Sequence, residues 1–191
     1  MISVSEKFYF YYFYHVFKHY FSIQQIGIMS KVKVTLKVNG DLYEAAVNQS
    51  KTLVEVLRED LQLVGTKIGC QTGDCGACTI LLNGKSVCSC LTLAIEAQNK
   101  EITTIEGIAK SGEELHIIQE AFVNEGAIQC GYCTPGMVMS AKHLLDKNTT
   151  PTELEIRQAL SGNLCRCTGY ARIVKAVQVA SEKINQSVTE K

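Results

Sequence analysis

"GTKIGCQTGDCGACT", residues Gly65–Thr79, places three cysteines and four glycines within fifteen positions. Glycine lets a backbone approach a bulky centre closely, because it has no Cβ to hold the chain off. Thiols packed into such a loop read as ligands of a metal centre. Two further groups, "QCGYC" at Gln129–Cys133 and "LCRCTG" at Leu164–Gly169, repeat the chemistry later in the chain.

The first set, Cys70, Cys75, Cys78 and Cys90, has the spacing C-x4-C-x2-C-x11-C. Its first three members match the plant-type [2Fe–2S] pattern, in which one loop wraps the cluster and a distant cysteine completes it. Gly69, Gly73 and Gly76 are expected to let backbone N–H groups face the sulfurs. A structural zinc site also takes four thiolates, but it more often pairs two short knuckles. Cys88 lies two residues from Cys90 and makes the count odd; it reads as a small, half-buried thiol.

The second set, Cys130, Cys133, Cys165 and Cys167, has the spacing C-x2-C-x31-C-x-C. Each pair precedes an expected helix start, at Thr134 and at Thr168, so free N–H groups and the positive helix end would face the thiolates. In an extended C-x-C the two side chains point to one side, which leaves Arg166 facing away. Zinc or a redox disulfide stays open here, because C-x2-C alone is weak evidence.

Around these loops the pattern changes from strands to helices. "KVKVTLKV" alternates perfectly, with Val32, Val34, Leu36 and Val38 on one face. Asn39-Gly40 turns it into "LYEAAV". Thr52 and Glu55 form a capping box for a helix bearing Leu53, Leu57 and Leu61, with Gly65 at its exit. "TILLNGKSV" is a second hairpin and "EITTI" a last strand. Four helices then follow. Ser111 and Glu114 would cap one carrying Leu115, Ile118 and Phe122, which ends at Gly126. Thr134-Pro135 opens another with Met137, Ala141, Leu144 and Leu145. Thr152 and Glu155 cap a third, which ends at Gly162. The fourth follows Thr168 and carries Ile173, Val177, Ala180 and Ile184. The expected divisions are 1–28, an extension; 29–106, an α+β domain; 107–185, a four-helix domain; and 186–191, a polar, frayed tail.

The opening segment differs from the rest. Phe8–Phe21 carries ten of the fourteen aromatics, yet His15, Lys18 and His19 interrupt any membrane span. Met29 is followed at once by a clean strand, so the expectation is that residues 1–28 are a misassigned start. Lysine plus arginine and aspartate plus glutamate number 19 each, which gives no electrostatic footprint for nucleic acid. Nine cysteines would suit a secreted disulfide scaffold, but close-spaced sets and the lack of a small-residue cleavage site favour a reducing, cytoplasmic home.

"GCQTGDCGACTILLNGKSVCSCLTLA", "QCGYCTPG" and "SGNLCRCTGY" together resemble the small iron–sulfur subunit of the molybdenum hydroxylase family, which includes xanthine dehydrogenase and aldehyde oxidoreductases. The likeness runs from about Lys31 to Ile184. It implies a β-grasp, ferredoxin-like domain and a four-helix domain, each with one [2Fe–2S] cluster. It implies partners as well: a large molybdopterin-binding catalytic subunit and a medium FAD-binding subunit. Gln129 and Cys167 match residues that approach the molybdopterin in that family. The implied function is electron relay from molybdopterin through two clusters towards FAD, with no catalytic residue on this chain. Among such subunits it is similar to those of aldehyde-oxidising heterotrimers, glyceraldehyde-oxidising ones included. Two other readings are a free-standing two-cluster ferredoxin and a structural zinc module. The near-zero net charge suits a permanent subunit better than a docking carrier.

Overall fold

The structure, a computed structural model, describes residues 31–109 and 115–189. The expectations for residues 1–28 and for a cap at Ser111 and Glu114 lie outside these residues.

Strands β1 (Val32–Val38) and β2 (Asp41–Val47) pair antiparallel, with Val38 opposite Asp41. Asn39 and Gly40 both take positive φ, 55° and 94°, the backbone twist that a two-residue hairpin needs. Val34, Leu36 and Val38 are buried while Lys33, Thr35 and Lys37 are exposed, as the alternation requires. β3 (Thr79–Leu82) and β4 (Lys85–Cys88) form the second hairpin, turned at Asn83-Gly84. β5 (Glu101–Thr103) lies between the hairpins, parallel to β1 and antiparallel to β3, so the sheet order is β2-β1-β5-β3-β4.

The sheet grasps a short helix, α1, which is α-helical over Leu53–Glu55 and wound more widely over Val56–Asp60. The Thr52 N–H donates to Glu55 Oε2 at 2.7 Å, which fixes the helix start. Leu53, Val56 and Leu57 pack with Val34, Leu36 and Ile102 in one core. The exit is not at Gly65. Gln62 takes the left-handed turn at φ 57°, and Gly65 is instead needed for packing, because a Cβ there would lie 2.5 Å from Ile105 Cγ2.

Four further helices form the second half: α2 (Ile117–Asn124), α3 (Thr134–Lys147), α4 (Glu153–Ala159) and α5 (Ala171–Thr189). Ile118, Phe122, Met137, Ala141, Ile156, Ile173, Val177 and Ala180 share their core. Three expectations need correction. First, α2 is capped by His116, whose Nδ1 accepts from the Ile118 N–H at 3.3 Å, and Leu115 lies outside the helix and is exposed. Second, α5 starts at Ala171, because Gly169 and Tyr170 both take positive φ and cannot be helical. Third, α5 runs through residues 186–189, which were expected to lie in a tail beyond the last helix, and Asn185 Nδ2 donates to the Thr149 carbonyl at 2.8 Å.

The two halves meet backbone to backbone. A Cβ on Gly76 would lie 2.2 Å from the Gly162 carbonyl oxygen, and one on Gly136 would lie 2.3 Å from the Gly76 carbonyl oxygen. Replacing helical glycine by alanine normally gains roughly 1 kcal/mol. At Gly136 the backbone clash reverses that, and Gly136→Ala should lose about 1–2 kcal/mol by urea denaturation.

His116 supplies a pH signature. Burial, reinforced by the Lys142 ammonium and opposed by Asp146, holds its pKa below the ordinary imidazole value. The folded state therefore favours the neutral ring, whose Nδ1 is the cap acceptor. This contribution is complete above the ordinary histidine pKa of about 6.5 and is lost as pH falls through and below it. Denaturation midpoints measured from pH 7.5 to 5 should fall, and His116→Asn, a good cap that does not titrate, should flatten the decline.

Candidate metal centres

The loop between α1 and β3 folds back on itself through Gln71, Gly73 and Gly76, all at positive φ. This brings Cys70, Cys75, Cys78 and Cys90 to one end of the sheet. Cys78 and Cys90 are 2% and 6% exposed and touch each other beside Val54; Cys70 and Cys75 are half-buried neighbours. The N–H groups of Thr72 and Cys75 both donate to Cys70 Sγ at 3.4 Å. The Thr72 and Cys75 donors hold that thiol down at about 6. Cys90 is pushed up to about 12, by burial first and then by the neighbouring Cys78 thiol.

The glycines are close-packed for different reasons. Gly69 faces a sulfur, since a Cβ there would lie 2.7 Å from Cys75 Sγ. Gly73 is crowded by Leu91 and its N–H faces the Cys90 sulfur, while Gly76 is crowded by the helical half. Cys88 stands at the end of β4, half-buried, with Sγ 3.6 Å from the Gly73 carbonyl, and burial pushes its thiol up to about 11.

The second set gathers where the loop before α3 meets the loop before α5. Its sulfurs pair across the loops: Cys130 Sγ lies 3.5 Å from Cys167 Sγ, and Cys133 faces Cys165. Cys133 is also the residue that opens α3. Burial, then the facing Cys165, pushes its thiol up to about 12. At Cys165 burial opposes ionisation. The Thr168 hydroxyl, 3.1 Å away, and nearby N–H groups nevertheless hold the thiol below its usual range. Donors from the Thr168 turn thus take the place expected of a second helix end. Gln129, Cys130, Arg166 and Cys167 are all exposed.

Each quartet is thus divided into two touching pairs. All nine cysteines are free thiols. Among the described residues no three Cys, His, Asp or Glu side chains converge as they would around a single ion. A two-iron cluster takes four thiolates, two to each iron, and sets of paired thiols with N–H donors at the sulfurs fit it.

Hydrogen bonds tie the two loop systems together. The Leu164 N–H donates to the Cys75 carbonyl at 2.9 Å, and the Tyr132 hydroxyl donates to the Ile68 carbonyl at 2.5 Å. Asn163, 3% exposed, donates through Nδ2 to the Gly76 carbonyl at 2.9 Å and accepts from Ser140 Oγ at 2.6 Å. The Tyr170 hydroxyl accepts from the Cys165 N–H at 2.8 Å and donates to the Asn163 carbonyl at 3.2 Å. Sequence reasoning assigned no role to Asn163, Tyr170, Tyr132 or Ser140. Three of them sit inside the quoted cysteine motifs, and that proximity was the available signal.

Two family models cover this architecture. A "2Fe-2S iron-sulfur cluster binding domain" matches residues 36–104 and a "[2Fe-2S] binding domain" matches residues 104–178. The nicotinate dehydrogenase small FeS subunit of Eubacterium barkeri is 48% identical over 81% of this chain and 98% of that protein. The chain belongs to the small iron–sulfur subunits of the molybdenum hydroxylase family. The aldehyde oxidoreductase iron-sulfur-binding subunit of Escherichia coli K12 is 45% identical over 79% of this chain and 72% of that protein. Among solved structures, quinoline 2-oxidoreductase from Pseudomonas putida 86 has a TM-score of 0.79 at 41% identity, covering 82% of this chain and 98% of that one. Aldehyde oxidoreductase from Desulfovibrio gigas has a TM-score of 0.77 at 42% identity, covering 82% of this chain but 17% of that one. The β-grasp and helical architecture expected of the family is the one found.

Tyr170→Phe in this subunit leaves the Cys165 N–H and the Asn163 carbonyl without their shared partner. The expected cost is about 1–3 kcal/mol. In iron-loaded protein the altered visible and paramagnetic signals should be those of the second centre, with the first unchanged.

Proposed function

We infer that this subunit holds two [2Fe–2S] clusters, one on Cys70, Cys75, Cys78 and Cys90 and one on Cys130, Cys133, Cys165 and Cys167. The division of each quartet into touching pairs is the observation that carries this reading. A bound cluster supplies one-electron transfer without proton or atom exchange. The chain's own residues place the thiolates, direct N–H groups at sulfur and shield Cys78 and Cys90 from water. Iron must displace the protons that burial retains on Cys90 and Cys133.

The subunit relays electrons from a molybdopterin centre on a large partner to FAD on a medium partner. Names of the relatives support a subunit role over a free-standing carrier, since they are called small, beta, gamma or iron-sulfur-binding subunits. Gln129 and Cys167 are the residues proposed to approach the pterin; both are exposed on the second loop system. The domain division falls near residue 106. A reducing, cytoplasmic setting suits nine free thiols, and no described helix is long and apolar enough to cross a membrane.

An aldehyde is the proposed substrate of the complex. N-heteroaromatic compounds are the second reading, because the nicotinate dehydrogenase and nicotine 6-hydroxylase small subunits are each 48% identical to this chain. The substrate pocket would lie on the partner, so activity of the purified complex on each class decides between them.

The test is purification from the native source, with iron and molybdenum analysis and identification of co-eluting chains. Cys75→Ser should abolish the first cluster's signal alone and Cys133→Ser the second's alone. Cys88→Ser should keep the full iron count. A reduced count for Cys88→Ser, or loss of both signals from one ligand variant, would overturn the assignment.

A further inference from the structure

Cys88 and Leu91 bracket one glycine of the first cysteine loop. The Cys88 thiol donates to the Gly73 carbonyl at 3.6 Å. Leu91 covers the Gly73 Cα so closely that a Cβ there would lie 2.5 Å from Leu91 Cδ1. Gly73 itself has φ 87°, and its N–H faces the Cys90 sulfur. One short stretch at the end of β4, Cys88 to Leu91, therefore supplies both the restraint on this glycine and the sulfur it faces.

Strand pairing fixes Cys88 in that position. It stands opposite Thr79 in the β3–β4 ladder and packs against the buried group of Val54, Cys78 and Cys90. An unrestrained glycine visits positive and negative φ about equally, so its N–H would turn away from sulfur at little cost. An S–H group is a weak donor, but little is needed to hold so free a residue. The Thr72 hydroxyl also spans Gly73, donating to Asp74 Oδ2 at 2.5 Å, yet that bond is exposed and water competes with it. Leu91 is 62% exposed, and its side chain is spent on this glycine, not on either core.

We propose that Cys88, the one cysteine outside the two quartets, is a positioning residue for the first centre: by anchoring the Gly73 carbonyl it keeps the Gly73 N–H aimed at Cys90 Sγ and so raises the reduction potential of that centre. The proposal rests on the two-cluster reading above. One electron entering the centre adds negative charge that falls partly on the cysteine sulfurs, and a donor at sulfur stabilises the reduced form more than the oxidised one. Cys88 makes no bond to iron in this role, and no proton moves.

The test uses the assembled, iron-loaded complex carrying Cys88→Val, which fills the position with apolar atoms and removes the S–H donor. Iron content should match the parent. In a redox titration followed by paramagnetic resonance, the first centre's midpoint should shift to lower potential while the second's stays in place. Pulsed spectra of the reduced state, compared in ordinary and heavy water, should show weaker coupling of an exchangeable proton to the first centre. An unchanged or raised midpoint would overturn the proposal, as would an unchanged proton coupling. If Cys88→Val does not load iron, Cys88→Ala adds no bulk and carries the same readouts. Iron loss from Cys88→Ala as well would make Cys88 a structural residue and overturn its positioning role. A parent complex without a paramagnetic signal from the first centre would instead overturn the cluster reading itself.

Discussion

Gly76 packs against the Gly162 carbonyl and Gly136 against the Gly76 carbonyl, so neither position has room for a side chain, and the rest of the arrangement depends on these contacts. Gly76 belongs to the first cysteine loop and Gly136 to the first turn of α3. Because two backbones touch directly, the Gly76 carbonyl comes within reach of Asn163, and the Cys75 carbonyl within reach of Leu164. Had either glycine carried a Cβ, the seam would open by the width of a methyl group. The polar atoms now paired across it would then be buried without partners, at about 1–3 kcal/mol for each. Close packing is here the condition for the hydrogen bonds, not an addition to them.

The same seam explains why both halves are small yet specific. Each has its own apolar core, one beneath the sheet around Leu36 and Leu57 and one among the helices around Phe122 and Val177. Leu81 of β3 joins the helical core, so the sheet's second hairpin serves both. The cysteine loops lie at the edges of these cores, where buried Cys78 and Cys90 rest on Val54. Apolar packing sets where the loops are, and polar contacts set how they face each other.

Much of this was legible in the sequence because it is local. Strict alternation in "KVKVTLKV", paired Asn-Gly turns and the Thr52/Glu55 and Thr152/Glu155 boxes each encode one element within a few residues. The misreadings share a cause. Gln62 takes the turn expected at Gly65, Tyr170 adopts positive φ where the start of a helix was expected, and His116 caps a helix without being a usual cap. In each case a residue outside the usual turn and cap set takes the role, held by hydrogen bonds to near neighbours. Asn163 was invisible for a different reason: its partners Gly76 and Thr79 lie more than eighty residues away, and no spacing rule reaches that far.

Exposure divides the two quartets in a way that bears on how they can be tuned. Cys78 and Cys90 are sealed by this chain's own residues, so the surroundings of the first centre are fixed when the subunit folds. Cys130 and Cys167 stand at the surface, and hydrogen bonds and solvent access at sulfur are among the determinants of cluster potential. Any partner seated over those two thiolates removes water from one centre and leaves the other untouched. On the proposed two-cluster reading, the potential of the second centre then depends on the assembled complex, while that of the first is set within this chain.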